Sequence, residues 1–311
     1  MTIQRTISPV DGSVYVERTL AVPAQIEAAL ESARLAQRAW RAVPMAERSA
    51  ILSRFCDAFE SHGEAIAEEL SWQMGRPIRF APSEVRGTLE RARHMIAIAT
   101  EALADIDVGP KAGFHRFLRR EPLGVVFTVA AWNYPYLIAV NSVVPALMAG
   151  NVVVLKHSAQ TPLCAERFEQ CLREAGLPEG AFQALHLSHA DTERVIRDPR
   201  VDFVAFTGSV AGGHAVQRAA ADRFIATGLE LGGCDPAYVR HDADLAHAVE
   251  NLVDGAYFNS GQSCCGIQRV YVHERLYDAF VEGWVELTRK YVLGNPLDPD
   301  TTLGPVVRTA A

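Results

Sequence analysis

Along the first hundred residues, apolar positions recur every three or four places. Over residues 23–43 they fall at Ile26, Ala29, Leu30, Ala33, Ala36 and Trp40, one stripe of a helix opened by a proline. Residues 46–74 continue the period through Ile51, Leu52, Phe55, Phe59, Ile66 and Leu70, with a break near Gly63, and stop at Gly75-Arg76-Pro77. A third helix is predicted over about 82–104. Residues 6–20, turning at Asp11-Gly12, read as a hairpin.

From Gly124 the period changes. Short apolar runs at 125–131, 151–156, 201–207 and 225–231 alternate with helical patterns at 136–148, 162–175 and 210–221. Strands with little polar alternation, separated by amphipathic helices, predict an α/β fold with a parallel sheet covered on both faces. Such sheets bind ligands beyond the carboxyl ends of their strands. That edge presents Trp132-Asn133, Lys156-His157-Ser158, Thr207-Gly208-Ser209 and Gly232-Gly233. A further α/β unit follows, with helices near 242–257 and 274–292 around a strand at 268–273.

Composition narrows the function classes. The 311 residues carry 30 Lys+Arg against 37 Asp+Glu, a net charge of −7, which argues against nucleic acid or an anionic membrane as partner. The longest apolar runs fall short of the ~20 residues of a membrane span, and residues 1–18 lack the apolar core of a signal peptide. A cytoplasmic protein is expected. The six cysteines follow neither metal-ligand spacing nor a disulfide framework, so no metal is expected. Cys56, Cys164 and Cys171 read as small buried apolar residues. Cys264-Cys265 differ, because they end the polar run Phe258-Asn259-Ser260-Gly261-Gln262-Ser263, and reactive thiols need access and polar surroundings.

Three further features carry candidate chemistry. Gly208-Ser209-Val210-Ala211-Gly212-Gly213 opens a helix, where glycines and a serine suit a phosphate or simply cap the helix. No Gly-x-Gly-x-x-Gly follows the first strand, which disfavours an ordinary dinucleotide fold. Lys156, one of only three lysines, ends an apolar strand, facing either a ligand or water. Glu230 sits between Leu229 and Leu231; buried there, its pKa would rise towards the range of a general base, whereas on a half-exposed strand it is an alternating polar position.

The ordered series of motifs resembles the aldehyde dehydrogenase family across nearly the whole chain. It runs Glu121-Pro122-Leu123-Gly124, Trp132-Asn133-Tyr134-Pro135, Gly150-Asn151 to Lys156, Gln160-Thr161-Pro162 and Phe206-Thr207-Gly208-Ser209. It continues through Glu230-Leu231-Gly232-Gly233, Phe258 to Cys264, Gly294-Asn295-Pro296 and Gly304-Pro305. The resemblance implies a Rossmann-like cofactor domain over 1–107 and 121–232, an oligomerisation hairpin at 108–120, and the start of a second α/β catalytic domain at 233–311. It implies oxidation of a small aldehyde by NAD, with NADP admitted, in a homo-oligomer. By the same resemblance Cys264 is the nucleophile, Glu230 the general base and Asn133 the oxyanion-binding amide. Trp132, Lys156, Ser158, Ala159, Gly208, Ser209, Gly213, Leu231 and Gly232 would line the cofactor site.

Departures from the family pattern shape the remaining expectations. Ala159 stands where many NAD-preferring members have Glu, so the preference for NAD should be weak. Cys234 adds a third thiol beside the Glu230 motif. The chain stops at Ala311, short of the family's usual length, and reads as a fragment. Alternatives are a catalytically silent relative acting in binding, and an enzyme that hands its thioester to coenzyme A. Cys264 is expected to have a lowered thiol pKa, with Cys265 turned towards Gly266-Ile267 and Tyr136 and Phe258 in the substrate tunnel or the core.

Overall fold

The computed structural model describes residues 2–309. An antiparallel hairpin of β1 (Ile3–Ile7) and β2 (Val14–Thr19) precedes α1 (Pro23–Trp40), α2 (Met45–Ser61), α3 (Gly63–Met74) and α4 (Ala81–Ala102). The long periodic stretch breaks at His62, next to Gly63. On α1 the buried residues Ile26, Ala29, Leu30, Ala33, Gln37 and Trp40 form the predicted stripe. The Trp40 indole donates to the Leu147 carbonyl at 3.0 Å, so this face is pinned to the sheet domain.

A small hairpin, β3 (Ile106–Asp107) with β4 (Phe117–Leu118), leads into β5 (Val125–Val129), α5 (Pro135–Met148), β6 (Val152–Lys156) and α6 (Pro162–Glu174). There follow β7 (Phe182–Ala184), α7 (His189–Arg197), β8 (Phe203–Gly208), α8 (Val210–Ala220) and β9 (Ala226–Leu231). All five strands are parallel, in the order β7-β6-β5-β8-β9. The chain moves outward from β5 on one side, then returns to its other side at β8. This is the doubly wound order despite the missing glycine fingerprint, and it opens a crevice at the carboxyl ends of β5 and β8.

Burial explains which strands were legible. Every residue of β5 and β6 is buried, whereas β8 and β9 are largely half-exposed, so the sheet is covered on both faces only at its centre. Gly124, just before β5, has φ +136°, and a Cβ there would collide with the Asp202 carboxylate, which itself accepts from the Val125 N–H at 2.8 Å.

The rest of the chain builds a second, smaller core. Strands β10 (Asp235–Val239) and β11 (Ile267–Val272) pair in parallel, with α9 (Leu245–Tyr257) and α10 (Tyr277–Thr288) alongside. Val239, Val249, Val253 and Phe280 are its buried centre. Among the described residues no helix is long and apolar enough to cross a membrane.

At the end of β6, His157 is fully enclosed. Its ring bonds the Pro135 carbonyl through Nε2 at 3.2 Å and accepts from the Ser158 N–H through Nδ1 at 2.9 Å, tying the strand end to the start of α5. Burial pulls its pKa down to about 4 from 6.5. Between those values the unfolded chain binds a proton that the native ring refuses, so stability falls as pH drops from 6.5 to 4, at about 1.4 kcal/mol per pH unit. Glu166 acts lower: burial raises its pKa, but hydrogen bonds from His186 and Arg18 bring it to about 2. Urea unfolding at successive pH values should therefore show a slope between pH 4 and 6.5 that flattens in His157→Gln, which has no titrating ring; an unchanged slope would place the proton elsewhere.

Candidate active site

The loop after α9 carries the candidate nucleophile. Asn259, Ser260 and Gly261 follow one another at φ 54°, 57° and 74°, all in the left-handed region. Two successive non-glycine residues there are costly and persist only when their surroundings fix them. The fixing bonds are present. The Asn259 amide donates to the Asn133 carbonyl at 3.0 Å and the Gln262 carbonyl at 3.2 Å, and the Ser260 hydroxyl donates to the Gly304 carbonyl at 2.8 Å. The Gln262 side chain donates to the Asn259 carbonyl and accepts from the Val307 N–H at 2.8 Å.

Beneath the loop lies a buried ion pair between Arg76 and Glu84, whose side chains are only 2% and 0% exposed. The Glu84 carboxylate also accepts from the Tyr136 N–H at 2.9 Å, at the start of α5. Burial pushes the Glu84 carboxyl above its usual range, against the pull of Arg76 and of the backbone donors. The other arms of the guanidinium reach the Asn133 carbonyl at 3.0 Å and the Asn259 amide oxygen at 3.4 Å, and its plane lies 4.8 Å from the centre of the Tyr134 ring. One cation therefore joins α4, the start of α5 and the cysteine loop. Sequence reasoning missed Arg76, Glu84 and Tyr134. The available signal was a cation in the helix stop Gly75-Arg76-Pro77 and a Glu in an otherwise apolar helix face.

Asn133 donates from its amide to the Gln262 carbonyl at 3.1 Å. An amide nitrogen has two N–H groups, so this bond sets the rotation of the side chain and leaves the second donor free.

A cleft of about 600 Å³ brings Cys264 and Glu230 together, walled by Tyr134, Leu137, Ile138, Phe206, Leu231 and Phe258 among others. Tyr134 stacks on Phe258, ring centres 6.0 Å apart. Of the two readings of Glu230, at the end of edge strand β9, the exposed one holds. Two expectations are corrected here. Partial burial and the adjoining Cys265 thiol raise the Cys264 pKa above the ordinary cysteine range rather than lowering it. Cys265 lines the same cleft, its sulfur 3.3 Å from the Ser263 hydroxyl, instead of turning towards Ile267. Cys234 is exposed, while Cys56, Cys164 and Cys171 are buried as expected. Tyr136 is fully enclosed in the core, whereas Phe258 lines the cleft.

The candidate cofactor residues gather at the crevice of the sheet. Ser209 caps α8, accepting from the Gly212 N–H at 3.1 Å. A Cβ at Gly212 would come within 2.6 Å of the Phe206 ring, and one at Gly213 within 2.9 Å of Leu231, so these glycines let the helix approach the strands closely. Lys156 is buried at the end of β6, and that burial lowers its pKa. Trp132 and Ser158 are half-buried beyond β5 and β6, whereas Ala159 and Gly232 are exposed. A cation without a carboxylate partner among the described residues, a glycine-opened helix start and a crevice between strand ends together fit a dinucleotide.

The Aldehyde dehydrogenase family model matches residues 2–311. The succinate-semialdehyde dehydrogenase [NADP(+)] of Mycolicibacterium paratuberculosis is 36% identical over 304 residues, which cover 97% of this chain and 64% of that relative. A solved structure of Gox0499 superposes with a TM-score of 0.96 at 34% identity, covering 100% of this chain and 68% of the other. An NAD-dependent aldehyde dehydrogenase from Sinorhizobium meliloti gives 0.94 at 33% identity, covering 99% and 62%. The chain thus spans slightly under two thirds of the length of the curated relative.

The buried pair makes a definite prediction. Arg76→Met leaves Glu84 as an uncompensated buried charge and should cost about 3–5 kcal/mol in urea unfolding. Adding Glu84→Leu should recover most of that loss. If Arg76→Met unfolds like the parent chain, the ion pair is not the clamp described.

Proposed function

Because the chain belongs to the aldehyde dehydrogenase family, we propose that it oxidises an aldehyde to a carboxylic acid with NAD or NADP. The single observation that carries this reading is the meeting of Cys264, Glu230 and the loop bound to Asn133 at one cleft beside the crevice of the sheet. Lys156, Ser158, Ser209 and the glycines opening α8 would hold the dinucleotide, with Trp132, Ala159, Leu231 and Gly232 around it. When bound, it supplies a two-electron acceptor. The named relatives include both an NADP and an NAD enzyme, and Ala159 offers no carboxylate against a 2′-phosphate.

The chain's own residues do the remaining work. The Cys264 thiolate adds to the aldehyde carbon, forming a C–S bond and placing negative charge on the former carbonyl oxygen. The free N–H of the Asn133 amide and the backbone N–H of Cys264 receive that charge; one such donor contributes about 3 kcal/mol at the transition state. Oxidation leaves an acyl group on sulfur. Glu230, open to solvent, takes a proton from water as that water attacks the thioester carbonyl, and the thiolate departs. A carboxylate placed to activate water favours water as acceptor, since transfer to a thiol needs no such base. The raised Cys264 pKa makes the free thiol a poor nucleophile at neutral pH, so reactivity should climb with pH.

The two cores support the proposed division into a cofactor domain, 1–107 and 121–232, and a catalytic portion from 233, with Val307 packing back into the first core. The hairpin of β3 and β4, with Phe114 and Leu118 exposed, is proposed as the contact within an oligomer.

Steady-state assays with an aldehyde and NAD(P) test the reading. Cys264→Ser should abolish turnover, Cys265→Ser should retain most of it, and Asn133→Ala should lower kcat by about 10²–10³. Full activity in Cys264→Ser would refute the assignment. Iodoacetamide mapping adds a second check: the Cys264 alkylation midpoint should lie above that of free cysteine and move down in Cys265→Ser, where the neighbouring thiol is gone. A midpoint below free cysteine would contradict the electrostatics described.

A further inference from the structure

The cleft is electrically lopsided. Glu230 lies on its sheet wall and Asp254 on its α9 wall, and both are carboxylates. The helical wall, from α4 and α5, contributes a single cation, Arg91. Arg91 is exposed, and its guanidinium donates to the Asn141 side-chain oxygen at 3.1 Å. Nearby Arg93 is paired with Glu60, whereas Arg91 has no carboxylate partner among the described residues. A guanidinium held by one neutral acceptor keeps most of its donors for something else.

Helix geometry sets its distance from the chemistry. Leu137, Ile138 and Asn141 share one face of α5 and all line the cleft. Asn141 is six residues beyond Pro135, about 9 Å along the axis. Tyr134, just before that helix, lines the same cleft as Ser263 and Cys264. The cation and the thiol thus line one cleft, whose helical wall also carries apolar Leu137 and Ile138.

We propose that Arg91, steadied by Asn141, is the specificity-determining residue of this cleft and selects short aldehydes that carry a carboxylate at the far end. This inference rests on the aldehyde-oxidation reading for the identity of the reacting group. An anion placed at Arg91 is attracted there and repelled from Glu230 and Asp254, so the molecule enters with its carbonyl towards Cys264. An uncharged aldehyde of the same length gains no such orientation. Guanidinium and carboxylate form paired hydrogen bonds that an amide cannot replace.

The test has two arms. In the first, kcat/KM is measured for succinic semialdehyde and for butanal in the parent chain, Arg91→Lys and Arg91→Gln. In the second, Cys264 alkylation is followed by peptide mapping with iodoacetate and iodoacetamide, which differ in charge and need no turnover. The expected result is that Arg91→Gln lowers the succinic semialdehyde to butanal ratio by about tenfold, mainly through KM, and lowers the iodoacetate to iodoacetamide ratio in the same direction, with Arg91→Lys in between. If both ratios are unchanged in Arg91→Gln, the inference is overturned. If neither aldehyde is oxidised but the alkylation ratio still falls, the anion site stands and the aldehyde-oxidation reading fails.

Discussion

The structure turns on the buried contact between Arg76 and Glu84. A guanidinium enclosed in protein has to satisfy its donors, and here the carboxylate takes one arm while the Asn133 carbonyl and the Asn259 side chain take the others. The loop it supports holds two non-glycine residues in the left-handed region, a conformation that would relax if its bonds were lost. The position of Cys264, the rotation of the Asn133 amide and the start of α5 are thus set by one charge pair lying in the helical layer, outside the sheet. Enclosed pairs are poor sources of stability, and their value here is geometric.

The doubly wound sheet supplies the other half of the arrangement. Its strand order opens a crevice at β5 and β8, and the cysteine loop, attached to the second core, is bound to the residues that follow β5. Leu231, at the end of β9, lines the cleft with Cys264, and Asn133, which follows β5, is bonded to the loop that leads to that cysteine. Charge within the cleft is divided by wall, cationic on the helices and acidic on the sheet and α9.

How far the sequence foretold this depends on whether a signal is local. Strands β5 and β6 are buried along their whole length and read as unbroken apolar runs; the stripe on α1 was equally plain. Strand β7 has three residues and α7 nine, too short for a period to register. β10, with its Asp235-Pro236 start, hid behind turn-like residues. The leucines beside Glu230 left it open to two readings, buried or half-exposed, because no local pattern shows that β9 is the edge of the sheet and its end is open. The polar loop marked out the pair Cys264-Cys265, and the family resemblance chose Cys264 within it, whereas Arg76, Glu84, Tyr134 and Arg91 are engaged by contacts distant in sequence. Their roles follow from which elements meet, which no local pattern specifies.

The central claim, that the acyl group is carried on Cys264, can be observed directly. The chain is mixed with succinic semialdehyde and NAD(P), quenched in acid within one turnover, digested, and its cysteine peptides weighed. The acyl mass is expected on the peptide carrying Cys264, localised to that sulfur by fragmentation, persisting in Glu230→Gln and short-lived in the parent chain. An acyl group on Cys265 or Cys234, or carboxylate formed by Glu230→Gln with no acylated peptide at any time, would contradict that claim.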